Sequence, residues 1–243
     1  MDGPLSDPIS AADPFPRPLA PTGMAKTALV IGGGFAGLEA AIHLRKAGLE
    51  VTLVSNRPFL FIYPTSIWVV TGERSIAQTT LDLKDAARRH GFTFVEGAVE
   101  AISAARRSAT VNGAELTADH LVVAMGGDRL KPKGVETTFT LGGAPENVER
   151  LRAAIEALLA KGRGRIAMGF GGNLKDTSSV RGGPVFEVMF NVDTLLRRRG
   201  VRDAFELTFF APMPSPGERM GKKAVGAIQS MFDRLGIAKR FGK

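Results

Sequence analysis

Apolar and polar positions follow a strand, turn, helix and strand order from residue 27 onward. The segment TALVI (27–31) is short, apolar and rich in β-branched residues, which is typical of a buried parallel strand. Residues 36–48 predict a helix that stops at Gly48 and has four apolar residues near one face: Leu38, Ala41, Ile42 and Leu44. The segment EVTLV (50–54) predicts a second strand. The pattern therefore predicts a βαβ unit.

The turn inside this unit has the spacing G-x-G-x-x-G, with Gly32, Gly34 and Gly37 at the glycine positions. The first glycine allows a tight turn, the second lets the backbone approach a pyrophosphate, and the third lets the helix pack closely on the strand. The pyrophosphate would lie at the helix N-terminus, where free N–H groups converge. We predict a dinucleotide site, with an unliganded glycine-rich connection as the alternative. Gly34→Val should abolish cofactor retention, and Gly33→Ala should be milder.

The end of the second strand leaves the identity of the dinucleotide open. An acidic residue that binds ribose is expected about 20 residues after the glycines, but Ser55, Asn56 and Arg57 stand there. Ser55 and Asn56 can hydrogen-bond ribose hydroxyls, and Arg57 can meet a phosphate, as in NADP. The alternative is that these residues form only a turn.

Later segments extend the α/β pattern. Residues 92–103 predict two strands, Asn112-Gly113 predicts a hairpin turn, and residues 119–127 predict a returning strand. The second half of the chain also alternates between helices and strands. Its predicted elements are helix 146–162, strand 165–172, helix 184–200, strand 205–212 and an amphipathic helix within 218–243. The prediction is a Rossmann-like domain with a small antiparallel β insertion at 24–135, and an incomplete second Rossmann-like domain at 136–243.

The second glycine turn fits a dinucleotide less well. Leu174 replaces glycine at the third position after Gly169 and Gly171, and Ala211 and Pro212 follow the later strand without an acid. The pattern disfavours NAD(P)H binding in this half but leaves it open.

Residues 1–23 hold six of the fourteen prolines and show no apolar periodicity. We expect a disordered or extended leader there. Met24 directly precedes the patterned region, so one hypothesis is that Met24 is the native start. The intact mass of the protein from its natural locus tests that hypothesis.

Composition narrows the chemistry. The 243 residues are 44% apolar, enough for one large α/β domain, and include no cysteine. A disulfide framework, a thiolate metal site and a cysteine relay are therefore excluded, and redox chemistry requires a cofactor. No metal site is predicted. The net charge of +8 favours anionic partners, but the short basic runs at 197–199 and 239–243 have no aromatic surface beside them, so nucleic acid is not expected.

Localisation follows from two observations. No apolar run approaches the roughly 18 residues of a membrane span, and the N-terminus lacks the pattern of a secretion signal. We expect a cytoplasmic protein, with peripheral association at a membrane surface left open.

The segment VIGGGFAGLEAAIHLRKAGLEVTLVSNRPFLFIYPTSIWVVTG (30–72) resembles the FAD-binding opening of the sulfide:quinone oxidoreductases. These enzymes belong to the FAD-dependent pyridine nucleotide-disulfide oxidoreductases, a class that includes type II NADH dehydrogenases. The serine after the second strand, where most of the class has an acid, is more specific to the sulfide:quinone branch. The resemblance extends from Lys26 to the chain end and weakens after Val135.

This resemblance implies FAD as the cofactor and assigns residues to it. The implied contacts are the turn and the strand end that follows it: Gly32, Gly33, Gly34, Phe35, Ala36, Gly37, Ser55, Asn56 and Arg57. Backbone near Val99 would contact the adenine, and Ala124, Met125 and Gly126 would return the chain to the flavin, with Met125 in place of a threonine. Pro64 would lie where the chain passes the isoalloxazine. Tyr63 and Trp68 either pack against that ring or belong to the core.

The resemblance implies a quinone-like acceptor but not the sulfide chemistry. Members of the sulfide:quinone branch use cysteines to attack sulfide, and Arg181 stands near one of those positions. A guanidinium is permanently charged and is not a nucleophile, so the catalytic residues and the electron donor stay unassigned. Lys175 and Arg181 either attract an anionic donor or are solvated loop charges.

Two functions therefore compete. The first is an FAD-dependent oxidoreductase acting on a small-molecule redox substrate; the second is a non-catalytic flavin-binding fragment that needs a partner chain. Relatives continue beyond the matched region, so we expect a truncated chain or a half supplied by another chain, with weak FAD binding. We also expect an exposed apolar face around 59–64 and 205–212 that promotes association, including homo-oligomers.

Overall fold

The computed structural model describes residues 25–127, 134–171 and 183–242. The chain divides into two compact units. The first unit comprises Met1–Leu60 and Leu81–Asp128, and the second comprises Phe61–Thr80 and Arg129–Lys243. The predicted leader, Met24, Leu174, Lys175 and Arg181 lie outside the described residues.

The helices and strands occur in the following chain order: β1 (Thr27–Ile31), α1 (Phe35–Lys46), β2 (Glu50–Ser55), β3 (Phe59–Phe61), α2 (Ser66–Val70), β4 (Thr80–Asp82), α3 (Leu83–His90), β5 (Thr93–Glu96), β6 (Val99–Ser103), β7 (Ser108–Val111), β8 (Ala114–Thr117), β9 (His120–Val123), α4 (Pro145–Ala160), β10 (Gly164–Gly169), α5 (Gly183–Arg198), β11 (Phe205–Ala211), α6 (Lys222–Leu235) and β12 (Ala238–Phe241). The predicted βαβ unit and most later elements are present within a few residues of their expected bounds.

The first unit contains a parallel sheet and a smaller antiparallel sheet. The parallel sheet has the order β5-β2-β1-β9, and the antiparallel sheet has the order β6-β7-β8. Asn112 and Gly113 join β7 to β8 with φ values of 50° and 78°, which are the left-handed angles that a two-residue hairpin turn requires. The predicted Rossmann-like domain with a small antiparallel insertion is confirmed.

The first unit packs a hydrophobic layer on each face of its parallel sheet. Ala28 and Val30 of β1 join the layer that contains α1 and α3 residues, such as Leu38 and Leu83. The alternate residues Leu29 and Ile31 pack with side chains of the antiparallel sheet. Burial on both faces explains why β1 reads as a continuous apolar run.

The second unit contains a parallel sheet of order β10-β11-β12, with a core that includes residues of the α-helices α2, α4, α5 and α6. Strand β11 buries alternate residues in this core: Phe205, Leu207, Phe209 and Ala211. The expectation of an exposed apolar face at 205–212 is therefore wrong, because the apolar side of the strand lies under the helices and Phe210 alone of its apolar residues is exposed. At 59–64, Leu60 is buried and its neighbours Phe59 and Phe61 are half-buried.

Strand β12 was not predicted. Its residues Ala238–Phe241 pair in parallel with β11, where the sequence indicated only a basic run. The strand is short, and its pairing depends on residues about 30 positions away, which local periodicity does not report.

The basic run at 197–199 forms ion pairs inside the second unit. Arg197 contacts Asp193 at 2.7 Å, Arg198 contacts Glu73 at 3.3 Å, and Arg199 contacts Glu156 at 3.6 Å. The hydrogen bond and charge of Asp193 raise the pKa of Arg197 above its ordinary value. These contacts give the run a structural role.

Candidate functional site

The turn between β1 and α1 lies at the carboxyl ends of the parallel strands and requires glycine at its first position. Gly32 has a φ of 111°, and its N–H donates to the carbonyl oxygen of Val54 at 2.8 Å. A Cβ on Gly32 would overlap the carbonyl oxygen of Ala124, which follows β9. The turn is thus held between the ends of β2 and β9.

Gly37 lets the helix approach the turn closely. A Cβ on Gly37 would overlap the carbonyl oxygen of Gly32, and Gly37 is buried in α1. The third glycine of the spacing is therefore needed for packing within the chain, whether or not a ligand is present.

Gly33 and Gly34 differ sharply in their surroundings. A Cβ on Gly33 would lie 2.6 Å from both Ser55 Oγ and Leu83 Cδ1. A Cβ on Gly34 would meet no atom of the described residues within 4 Å. The methyl group of Gly33→Ala would therefore press on two side chains beneath the turn, a packing cost that the sequence did not indicate. Its milder effect on cofactor retention than that of Gly34→Val stays a prediction.

Gly34 caps α1 without a side chain. Its backbone is extended (φ −79°, ψ −174°), a conformation open to any residue, and the first turn of α1 has neither a side-chain cap nor an acidic residue. By contrast, the N-terminus of α3 is capped by Asp82, which accepts the N–H of Asp85 at 2.8 Å. The N–H groups of the first turn of α1 are therefore available to an external anion.

Ser55 supports the turn from the end of β2. Its side chain is only 8% exposed, and its Oγ accepts the N–H of Arg57 at 3.2 Å. Asn56 is exposed and Arg57 is half-buried. At the end of β2 the exposed Asn56 is thus better placed than the buried Ser55 to reach a ribose. Ribose binding by either residue stays a prediction.

The end of β9 completes the border of the turn. Ala124 donates its N–H to the carbonyl oxygen of Ile31 at 2.7 Å, and Gly126 has a φ of 74°. The side chains of Met125 and Phe35 are 59% and 52% exposed, so two large apolar side chains near the turn are accessible to solvent. Val99 begins β6 and packs against the core under β1.

The structure brings together the predicted residues of the turn, the end of β2 and the end of β9. Pro64 belongs to the second unit, where it lies in a short 3-10 turn, Tyr63–Thr65. Trp68 of α2 is exposed. Roles for these residues beside a flavin ring stay predictions.

Sequence reasoning missed two residues that shape the turn. Leu83 is fully buried beneath Gly33. Gly97 donates its N–H to the carbonyl oxygen of Ser55 at 2.9 Å and leaves no room for a Cβ beside Val111 and Asn112. No local signal marks Leu83, whereas the position of Gly97 between two predicted strands could have indicated a close approach of the backbone.

The opposite end of the parallel sheet holds a cavity of about 400 Å³, lined by Thr27, Glu50 and Thr93 among others. Nearby, Asp119 accepts hydrogen bonds from the N–H and hydroxyl of Thr27, and these bonds lower the pKa of its carboxyl group. Ligands of open parallel sheets bind at the carboxyl ends of the strands, so we assign the candidate site to the glycine turn. Among residues 25–127, 134–171 and 183–242, no group of three metal-ligating side chains comes together.

The second unit has a different turn after its first strand. Residues 32–34 alone join β1 to α1, whereas residues 170–182 join β10 to α5. Phe170 packs edge-on against Phe186 and Phe209, with ring centroids 5.9 Å apart in both pairs. Among the residues described on either side of the gap at 172–182, none has an atom within 4 Å of a Cβ placed on Gly171. This geometry leaves NAD(P)H binding by the second unit open.

The fold and the glycine turn define a dinucleotide-binding α/β protein of the Rossmann type. The family described as pyridine nucleotide-disulphide oxidoreductase matches residues 26–243, and the chain belongs to this family. The class recognised from the sequence, FAD-dependent oxidoreductases with a nucleotide-binding Rossmann fold, is confirmed.

Solved structures agree with the fold. The sulfide:quinone oxidoreductase of the hyperthermophilic bacterium Aquifex aeolicus is similar, with a TM-score of 0.80 and 23% identity over 90% of this chain and 51% of that chain. NDH2 of Plasmodium falciparum has a TM-score of 0.76 and 13% identity over 89% of this chain and 48% of that chain. The NAD-dependent persulfide reductase of A. fulgidus has a TM-score of 0.68 and 19% identity over 89% of this chain and 40% of that chain. The chain spans about half the length of the first two proteins.

One further finding concerns membranes. In the part of the chain that the structure describes, no helix combines the length and apolar character needed to cross a bilayer.

Proposed function

We propose that the first unit binds FAD at its glycine turn, as part of an oxidoreductase that passes electrons to a quinone-like acceptor. One observation carries the proposal: Gly34 lies at a helix N-terminus without a side-chain cap, and a Cβ there would touch nothing in the part of the chain that the structure describes. Glycine at this position is therefore explained by a group outside the chain that approaches the backbone. A pyrophosphate is such a group.

The residues present fit FAD along the carboxyl edge of the sheet. Backbone N–H groups at Gly34, Phe35 and Ala36 would hold the pyrophosphate, and Asn56 would reach the adenosine ribose. Backbone at Val99 would contact the adenine, and Ala124–Gly126 would lead toward the flavin. When bound, FAD supplies the two-electron redox chemistry that the side chains of this protein lack.

The chain's own contribution at this site is binding and orientation. Gly32–Gly37, Ala124, Met125 and Gly126 include no titratable side chain, and the whole sequence has no cysteine. A sulfide substrate is therefore not proposed.

The family match and the similarity to a sulfide:quinone oxidoreductase support a quinone-like molecule as the electron acceptor. The net charge of +8 is compatible with a peripheral site on an anionic membrane surface, and we propose a cytoplasmic location for the protein.

A second candidate function is a flavin-binding half-protein that acts with a partner chain. The share of the solved relatives that this chain spans, 51% and 48%, favours it. In this case FAD binds the first unit as proposed, but electron transfer requires the partner.

The test compares two valine variants of matched environment. Gly34→Val places a side chain where the pyrophosphate would lie and should lower FAD affinity at least about 100-fold. Gly171→Val is the control, because its added Cβ likewise meets no described atom within 4 Å but lies in the second unit. Titration of FAD followed by flavin fluorescence, with circular dichroism to verify folding, gives both affinities.

The proposal fails if the parent chain takes up no FAD. It also fails if Gly34→Val, correctly folded, binds FAD as tightly as the parent and as Gly171→Val do. Loss of binding in the Gly34 variant alone assigns the cofactor to the turn of the first unit.

A further inference from the structure

The cavity at the amino ends of the parallel strands in the first unit has polar side chains from three neighbouring strands. Thr27 of β1 lies in register with Glu50 of β2, and Thr52 of β2 lies in register with Thr93 of β5. Each of the four is an even number of residues from a side chain of its own strand that packs against the antiparallel sheet, so all four lie on that face. Thr117, at the end of β8, also lines the cavity. Its volume of about 400 Å³ is within the size range of small-molecule sites.

Arg45 of α1 brings a positive charge to this cavity. The side chain is half-buried, and its Nη1 donates to the carbonyl oxygen of Leu49 at 2.5 Å. Its Nε is shielded from solvent and has no hydrogen-bond partner among the described residues. Within the described ranges the guanidinium forms no ion pair. Because a guanidinium has five N–H donors, most of the donors of Arg45 remain for a group outside the described chain.

Glu50 brings a negative charge to the same cavity. Its side chain is exposed and, like that of Arg45, forms no ion pair with a described residue. Among the described residues that line the cavity, these two are the only charged ones. The hydroxyl groups of Thr52, Thr93 and Thr117 also have no hydrogen-bond partner in the described part of the chain. The cavity therefore offers one cation, one anion and three hydroxyl groups to a ligand.

The charges of the cavity favour a zwitterion over a phosphate. Phosphate sites of α/β proteins use the N–H groups of a helix N-terminus, whereas α1 and α3 both end at this edge of the sheet, at Lys46 and His90. A phosphate bound to Arg45 would also face the carboxylate of Glu50, and like charges repel. A ligand that has both a carboxylate and an ammonium group can pair with both side chains, because a guanidinium binds a carboxylate through two donors at once.

We propose that this cavity binds a free amino acid, with its carboxylate on Arg45 and its ammonium group on Glu50. The threonine hydroxyl groups would then contact polar atoms of the ligand. Strand β1 has five residues and is therefore roughly 16 Å long, so the cavity and the glycine turn lie at opposite ends of the same strand. The amino acid is thus a second ligand of the first unit, and the inference is independent of the proposed FAD site.

Isothermal titration calorimetry tests the proposal on the purified 243-residue chain, with and without added FAD. Each proteinogenic L-amino acid is used as a probe, and inorganic phosphate is the anion control. At least one amino acid should bind with a Kd of about 1 mM or lower, whether or not FAD is present. For the tightest amino acid, the matching 2-hydroxy acid lacks the ammonium group and the matching primary amine lacks the carboxylate. Both analogues, and phosphate, should bind at least about tenfold more weakly.

Two variants that remove one charge each locate the site. Arg45→Gln and Glu50→Gln should each weaken binding of that amino acid at least about tenfold. Since Glu50 is exposed, its variant should fold even if the Arg45 variant does not. The matched controls are Arg163→Gln and Glu206→Gln, which make the same changes of charge at exposed positions of the second unit and should leave the affinity unchanged. Circular dichroism verifies folding, and FAD titration of the same variants shows separately whether the glycine turn is intact.

Three results would overturn the proposal. If no amino acid reaches a Kd of about 1 mM, the cavity is not an amino-acid site. If the hydroxy acid, the amine or phosphate binds as tightly as the amino acid, the two charges do not select the ligand. Binding that FAD displaces, or that the control variants weaken as much as the cavity variants do, places the amino acid outside the cavity.

Discussion

At the residue scale, the four glycines of the turn serve two different purposes. Gly32, Gly33 and Gly37 face other parts of the first unit so closely that a Cβ would collide. Gly34 faces open space. The G-x-G-x-x-G spacing thus combines residues that build the turn with one that leaves room for a ligand, and the structure adds Gly33 to the residues that build the turn.

This separation predicts unequal losses of stability for neighbouring alanine variants. Gly33→Ala should lower the free energy of unfolding by about 1–3 kcal/mol, because its methyl group overpacks the space beside Ser55 and Leu83. Gly34→Ala should lower it by less than about 1 kcal/mol, since only the capping preference of glycine over alanine is lost. Urea titration by circular dichroism measures both. Equal unfolding midpoints for the two variants would contradict the packing argument.

At the element scale, local periodicity predicted β1, α1, β2 and the helices of the second half well. The pattern of β11 also predicted a strand, but not that its apolar side chains lie under helices from distant parts of the chain. Strand β12 and the support of Gly33 by Leu83 also depend on contacts between residues far apart in sequence. Periodicity indicates which residues share a face, and cannot say which element covers that face.

Asp193 shows how one buried side chain joins several elements of the second unit. It is 1% exposed, and its Oδ1 accepts from Arg202 Nε at 2.5 Å while Oδ2 accepts from Arg197 Nε at 2.7 Å. Arg202 also donates to the carbonyl oxygens of Phe205 and Leu235, both at 2.8 Å. The carboxylate thereby holds α5 to the start of β11 and the end of α6.

Removal of this carboxylate should be costly. Asp193→Ala leaves the mostly buried Arg202 without its ionic partner and should lower the free energy of unfolding by about 3 kcal/mol or more. The matched control is Glu73→Ala, which breaks the exposed contact to Arg198 and should cost less than about 1 kcal/mol. Thermal unfolding of both variants measures the two losses of stability. A loss for Asp193→Ala no larger than that for Glu73→Ala would show that the Asp193 network contributes little to the free energy of unfolding.

At the scale of the whole molecule, the sequence was sufficient to predict the class of protein and the glycine turn that anchors the candidate site. The electron donor was not predictable, because donor chemistry depends on reactive side chains and the chain presents none at the turn. The family match covers residues 26–243, yet the total absence of cysteine separates this chain from thiolate chemistry. The chain therefore shares the fold of its family without the cysteines that thiolate chemistry on a sulfide substrate requires.

That distinction leads to a prediction about sulfide. The chain loaded with FAD should consume sulfide no faster than free FAD at the same concentration. A cysteine persulfide forms from sulfide only when a cysteine sulfur is present and a two-electron acceptor such as the flavin is reduced, and the 243 residues include no cysteine. Thiol-alkylating reagents should likewise leave any quinone reduction by the protein unchanged. Sulfide loss and quinone absorbance are followed together, with free FAD and with the Gly34→Val variant as controls. Sulfide-dependent quinone reduction well above both controls would mean that the protein activates sulfide without a thiolate, and that the flavin bound at the glycine turn accepts electrons from it directly.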